Sequence, residues 1–288
     1  MSPIKSAIAV VTEVIRSYSH ASSPLMIFAC LIRHRDLILQ LAKREVIGRY
    51  RGSVMGVLWS IVHPLVMVVV YMLVFHVVFN PKWEMQTEGR AEFGLFLFAG
   101  LMVHSFFVEC ASRAPNLVVN HGNYVRKIMF PLEILPWVSL GSALFHASVS
   151  VGVLLLCYGF IHLTLNWTVM LFPVLMLPLV LMVLGFSWFL ASVGVFLRDV
   201  GQVIGVSSSV MLFLSPVFYP VSALPAAFQP LMYLNPLTFQ VEQMRNILIM
   251  GKPLAWQGLG IYFLCSVLVA WLGLWWFQKT RKGFADVL

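Results

Sequence analysis

The sequence predicts an all-α, polytopic membrane protein. Six transmembrane helices are expected, with an N-terminal amphipathic interfacial helix before them and short re-entrant helices between spans 5 and 6. Three observations carry this reading. Of the 288 residues, 60% are hydrophobic and only 10% charged, against roughly 25% charged in soluble domains. Mean hydropathy is +0.89. The apolar segments also run far longer than the roughly 9–11 residues of a membrane barrel strand, so they are helices. One transmembrane domain, residues 1–288, accounts for the chain.

Residues 1–32 read as a cytosolic lead-in without a cleavable signal, because neither Ala7–Val11 nor Pro24–Ile32 reaches the needed apolar length. The first span is expected to act as the insertion signal. Residues 33–52 carry six of the nineteen Lys and Arg residues. At 100° per residue, Asp36, Gln40, Lys43, Arg44 and Arg51 share one side, and Ile38, Leu39, Leu41, Ala42 and Val46 the other. Glu45, Ile47 and Arg49 fall off that pattern. Two readings stand: a helix lying in the membrane surface, or a positively charged anchor for the first span. Gly48, Gly52 and Gly56 offer bends where this collar meets span 1.

Span 1 is placed at about 54–79, a stretch free of Asp, Glu, Lys and Arg that would be about 39 Å long as a helix. A polar loop, Asn80–Glu92, precedes span 2 at about 93–111. Glu109 and Arg113 stand one turn apart near its end, spaced to neutralise each other. The stretch Pro115–Pro136 is too polar to span and too apolar for a free loop. It reads either as a short helix docked on another protein or as one resting on the membrane face. Spans 3 and 4 follow at about 134–163 and 169–197, and span 5 at about 200–214. Gly201, Gly205 and Ser209 put small residues at every fourth position of span 5, a spacing that permits close helix contact.

Residues 215–236 hold five prolines, Pro216, Pro220, Pro225, Pro230 and Pro236, yet remain apolar. No continuous helix survives that spacing. Broken backbone at membrane depth needs protein or a wet cavity around it. The segment is read as a pair of short re-entrant helices at the outer face, the alternative being a loop on the surface. Glu242 and Arg245 beyond it are spaced as a local pair. Span 6 is placed at about 256–277. With six spans, fifteen Lys and Arg residues fall on the side of the termini and four on the other. That asymmetry predicts both termini in the cytosol. The net charge of +8 is therefore topology rather than a nucleic-acid surface.

Several chemistries find no footing in the sequence. There is no GxxxxGK[ST] loop for ATP phosphates and no CxxC or Cys/His spacing for zinc among Cys30, Cys110, Cys157 and Cys265. No relay of acidic residues or lysines runs through the spans, and no nucleophile elbow or close carboxylate pair is present. The single histidines His63, His76, His104 and His146 read as helix–helix hydrogen-bonding residues. Aromatic surface is plentiful: Trp59, Tyr71, Phe75 and Phe79, then Phe213, Phe218, Tyr219 and Phe228. These residues suit stacking of sugar rings, and equally suit helix packing or interface belts. Arg49 and Arg51 are candidates for holding a lipid pyrophosphate, although positive-inside topology explains them without a ligand.

Four segments together carry a family resemblance: REVIGRYRGSVMGVLWSIVHPL, NHGNYVRKIMFPLEILP, the RDVGQ turn, and LSPVFYPVSALP followed by LNPLTF. From about Asp36 to the C-terminus the chain resembles the permease subunits of bacterial polysaccharide ABC exporters. This type 2 permease family handles O-antigens, teichoic acids and capsules, and the O-antigen type is the nearest in look. The resemblance implies a homodimer served by two separate ATPase subunits, which bind ATP and Mg, with no cofactor in this chain. It assigns ATPase coupling to Asp36–Arg51 and Asn120–Phe130, with Asp36, Lys43, Arg44, Asn123, Tyr124, Arg126 and Lys127 as the named residues. It assigns a channel wall to Trp59, Tyr71, Phe75 and Phe213. An outer gate at Pro216–Pro236 would include Pro216, Phe218, Tyr219, Pro220 and Pro225.

The function expected on that basis is movement of undecaprenyl-pyrophosphate-linked polysaccharide across the bacterial inner membrane, most simply O-antigen, by a chain that is not itself an enzyme. Expected partners are a second copy, the ATPase, the lipid-linked polymer and membrane lipid, with no nucleic acid. Export of teichoic acid, capsule or a small lipid or drug would share this architecture. A membrane glycosyl- or acyltransferase would instead need a carboxylate or histidine constellation that the sequence does not display.

Overall fold

The computed structural model describes residues 25–74, 90–122 and 130–288. Among these residues there is no strand. Helix α1, Leu25–Arg49, leads in, with non-helical backbone at His34. It ends in a turn where Gly52 and Gly56 both take positive φ, 87° and 53°. Two of the three glycines expected to bend thus do so, because only they occupy the left-handed region that penalises a Cβ. Gly48 stays inside α1.

A 3-10 turn at Gly56–Leu58 opens α2, Trp59–Val74, and α3 follows at Arg90–Arg113. Next come α4, Leu135–His162, and α5, Phe172–Phe196, then the shorter α6, Val200–Leu214. Beyond the proline-rich stretch lie α7, Gln229–Met232, α8, Pro236–Leu248, α9, Trp256–Thr280, and α10, Phe284–Val287.

Among the described residues, five segments are long and apolar enough to cross a membrane: Gly56–Val74, Phe93–Asn116, Leu132–His162, Trp167–Phe196 and Trp256–Val287. The expected fifth span, α6, has only 15 residues, about 22 Å of helix against a hydrocarbon core of about 30 Å.

Helix α3 forms the centre. Every residue from Gly94 to His104 is buried, as expected of a helix apolar on all sides. It packs against α2, α4, α5, α6 and α8. The closest helix pair is α5 with α9, where Gly185 and Gly273 bring backbone against backbone. Gly194 makes a similar approach to Pro115. The small-residue stripe on α6 makes no such contact within the chain: Gly205 and Ser209 face outward, and a Cβ on Gly205 would meet nothing within 4 Å.

Helix α1 lies along α4, with Ala42 against Gly141 at their crossing. Its buried side holds Ile27, Cys30, Ile38 and Ala42. The expected split into one polar and one apolar side is incomplete, since Leu39 and Ile47 are exposed. Packing against α4 covers an arc of α1 narrower than its apolar arc, so part of the apolar surface is left over.

Candidate functional site

The residues that broke the periodicity of α1 are the ones that tie it to the bundle. Arg113 of α3 donates to Glu45 of α1 at 2.6 Å and to Glu109 at 2.9 Å. Arg49 of α1 pairs with the same Glu109 oxygen at 2.8 Å. Glu45 and Arg49 are one turn apart, as are Glu109 and Arg113, so the four form a two-rung antiparallel ladder between α1 and α3. Their formal charges cancel, which lets four ionisable groups sit at a membrane boundary. His146 of α4 joins the ladder, with Nδ1 2.9 Å from Glu109 and Nε2 3.0 Å from the Tyr50 hydroxyl. The local pair expected from the sequence, Glu109 with Arg113, is therefore present but is one part of a three-helix cluster.

This cluster closes one end of a cavity of about 500 Å³ between α2, α3 and α4. Its walls combine Trp59, Tyr71, Phe98 and Phe106 with the polar Ser60, His63, Ser105 and Ser150. Of the expected channel-wall residues, Trp59 and Tyr71 meet here. Phe213 does not: it is 67% exposed on α6, its ring 5.9 Å from that of Phe218. Phe75 lies outside the described residues. Of the two candidates for an anionic ligand, Arg49 already faces Glu109 and His146, whereas Arg51 is exposed in the turn after α1.

Of the expected coupling residues, Asp36, Lys43 and Arg44 are all exposed on α1, away from its contact with α4. Asp36 lies 3.7 Å from Arg35. Asn123, Tyr124, Arg126 and Lys127 lie outside the described residues. At the same end of the bundle, Arg281 pairs with Glu133 at 2.8 Å and Ser192 meets Thr280 at 2.6 Å. His34, on α1 next to Arg33, has its pKa lowered by burial and then by that neighbour's charge.

The proline-broken segment sits at the opposite end. It contains a 3-10 turn at Val221–Ala223 and the single turn α7, not a pair of full helices. The spacing of the prolines leaves no room for longer ones. Its interrupted backbone is satisfied by side chains. Arg245 donates to the carbonyls of Pro216 at 2.7 Å and Val217 at 2.5 Å, and to Phe96 of α3 at 3.0 Å. Tyr219 donates to Phe213, Gln229 to Leu224, Thr238 to Met232, and Asn235 to Leu214. Asn235 also accepts from the Leu237 N–H and so caps α8, with Pro236 next to it inside the helix.

Arg245 is only 4% exposed, its guanidinium 4.5 Å from the Phe96 ring centre. Burial pushes its pKa down to about 10, which leaves it charged at neutral pH. The local pair expected between Glu242 and Arg245 is not the arrangement found. Arg245 turns to backbone carbonyls, and Glu242 accepts from the Tyr233 hydroxyl at 2.9 Å. Burial raises the Glu242 pKa, and burial followed by the Glu242 bond raises that of Tyr233 to about 12. Of the expected gate residues, Pro216 is held by Arg245, Tyr219 folds back on Phe213, and Pro220 and Pro225 flank the 3-10 turn.

Sequence reasoning missed Glu45, Tyr50, Arg245 and Asn235 as organising residues. A signal existed for Glu45, a charge on the wrong side of a helix. None existed for Arg245, because its acceptors are main-chain atoms up to 149 residues away.

Residues 36–249 match the family profile of "ABC-2 type transporter". The chain belongs to the ABC-2 type transporter family. Similar proteins include an "O-antigen export system permease protein" of Myxococcus xanthus, 26% identical over 89% of this chain and 96% of the relative. One of the same description from Klebsiella pneumoniae is 24% identical over 88% and 95%. A "capsule polysaccharide export inner-membrane protein" of Neisseria meningitidis is 23% identical over 86% and 92%. The ladder at Glu45 and Arg113 and the Arg245 clasp both fall within the matched span.

Proposed function

We propose that this ABC-2 family chain is the permease subunit of a polysaccharide exporter, most simply an O-antigen exporter. The observation that carries the reading is its match to O-antigen export permeases across nearly the full length of both chains. Capsule polysaccharide is the second reading, favoured by the similarity to the meningococcal protein, at lower identity.

Two copies pair through α2 and α6 to form the conduit. These helices carry long exposed apolar faces, Ile61, Leu65, Val69 and Leu73 on one and Val203, Val206, Val210 and Phe213 on the other, and only 17% of the first span is buried within the chain. The short α6 and the proline-broken segment that follows it together make a sixth crossing. That puts both termini in the cytosol, in keeping with the Lys and Arg asymmetry counted for six spans. A separate ATPase subunit binds ATP and Mg and presses on the exposed Asp36, Lys43 and Arg44 side of α1 and on Asn123, Tyr124, Arg126 and Lys127. The ladder then passes the movement of α1 to α3 and α4. The polymer travels on undecaprenyl pyrophosphate from the cytosolic leaflet outward. Its pyrophosphate is met by Arg51, with Arg49 released from Glu109 as the ladder shifts, and the clasped proline segment closes the outer end.

The test is deletion of the gene. Lipid-linked polymer should accumulate in the cytosol while surface polysaccharide disappears. Normal surface polysaccharide in the deletion strain would refute the reading.

A further inference from the structure

Away from α2 and α6, the crossing of α5 with α9 leaves an apolar groove of about 260 Å³. Its floor is the backbone contact at Gly185 and Gly273, where the missing side chains create the depression. Its walls are Phe186, Phe189, Leu272, Trp275 and Trp276. One end is occupied by a charge: the Lys279 ammonium lies 5.0 Å from the centre of the Trp275 ring. Lys282 is exposed one turn further on. Arg281 between them is already paired with Glu133, and Asp286 is the acidic residue on the short helix that follows.

We infer that this groove is a binding site for an anionic phospholipid, its acyl chain lying in the depression over Gly185 and Gly273 and its phosphate against Lys279. An acyl chain suits the groove because the lining is almost wholly apolar and the adjoining faces of α5 and α9 are exposed. A negative headgroup suits it because the Lys279 ammonium stands over Trp275 of its wall, and basic residues at a span's end attract anionic lipid. The tryptophans hold the interface level, where their amphipathic rings settle. The site would hold α5 and α9 together.

The test is native mass spectrometry of the full-length chain, delipidated and titrated with phosphatidylglycerol or phosphatidylcholine. Wild type should retain one phosphatidylglycerol per chain more tightly than phosphatidylcholine. Lys279→Gln should weaken phosphatidylglycerol about five-fold, from about 1 kcal/mol per basic residue near a surface, and leave phosphatidylcholine unchanged. Leu272→Trp, which fills the groove from an exposed position, should abolish retention of both lipids without lowering the melting temperature. Equal retention of the two lipids by wild type would overturn the inference, as would unchanged phosphatidylglycerol binding in Lys279→Gln. If Leu272→Trp bound as wild type does, the acyl chain would not lie in the groove and the site would be refuted. All of these readouts are independent of polysaccharide export.

Discussion

Removing the outer rung of the ladder tests whether α1 and α3 are joined electrostatically. Glu45→Gln takes away one partner of Arg113, and Arg113→Gln takes away partners of both Glu45 and Glu109, which sit 2.6 and 2.9 Å from it. Glu45 and Arg113 are 32% and 25% exposed, between the surface pair worth about 0.2–1 kcal/mol and the buried pair whose rupture costs about 3–5 kcal/mol. The expected losses are about 1 kcal/mol for Glu45→Gln and about 2–3 kcal/mol for Arg113→Gln. The double variant should cost little more than Arg113→Gln alone, because it no longer strands the Glu45 charge. That gives a coupling energy of just under about 1 kcal/mol in a double-mutant cycle. The assay is denaturant unfolding of the purified chain in nanodiscs, repeated at high salt, where a partly exposed pair should lose part of its coupling. Losses that add to within about 0.3–0.5 kcal/mol would show that the two groups do not interact. That rung could then carry no movement from α1.

Other positions give sharper or simpler outcomes. Gly273→Ala drives a methyl group into the Gly185 carbonyl, backbone that cannot swing aside. Accumulation of folded protein should fall severely, whereas Gly205→Ala, with open space around it, should be tolerated. Arg245→Met leaves the carbonyls of Phe96, Pro216 and Val217 without their donor, at about 1–3 kcal/mol for each buried group stranded. Limited proteolysis should then cut between residues 215 and 236 of the variant and spare the wild type. Glu242 has a raised pKa because it is buried, so the folded state holds its proton more tightly than the unfolded state does. Its favourable contribution is complete below the unfolded pKa and is lost as pH rises through the folded one. Glu242→Gln should therefore raise the melting temperature at pH 7–8, with the gain vanishing near pH 4. A gain that persisted at pH 4 would count against ionisation as the cause.

The two ends of the molecule differ in how far their sequence could be read. Helix positions were legible because they depend on local runs: the stretch expected at about 134–163 is a helix at Leu135–His162, and that at 200–214 is a helix at Val200–Leu214. The histidine reading holds at two of the four positions, since an isolated polar group on a greasy helix must find a partner; His63 lines the cavity and His76 lies outside the described residues. His104 reaches the Ser208 carbonyl and His146 reaches Glu109. Which partner it finds is set by long-range packing, and no local pattern encodes that. The small-residue stripe on α6 shows the limit clearly. Its spacing equals that of true contact motifs, yet the backbone-to-backbone contacts occur at Gly185, Gly194 and Gly273, where a single glycine faces a single complementary backbone. The same physics explains why the clasp at Arg245 was invisible. Prolines announce that carbonyls have lost their helical partners, but any donor within reach satisfies them, and the nearest in sequence is Glu242's neighbour only by number. In an apolar medium such carbonyls cannot be left bare. A proline-broken apolar stretch therefore requires buried donors somewhere in the chain, and here one arginine serves three carbonyls at once, as its guanidinium fork allows.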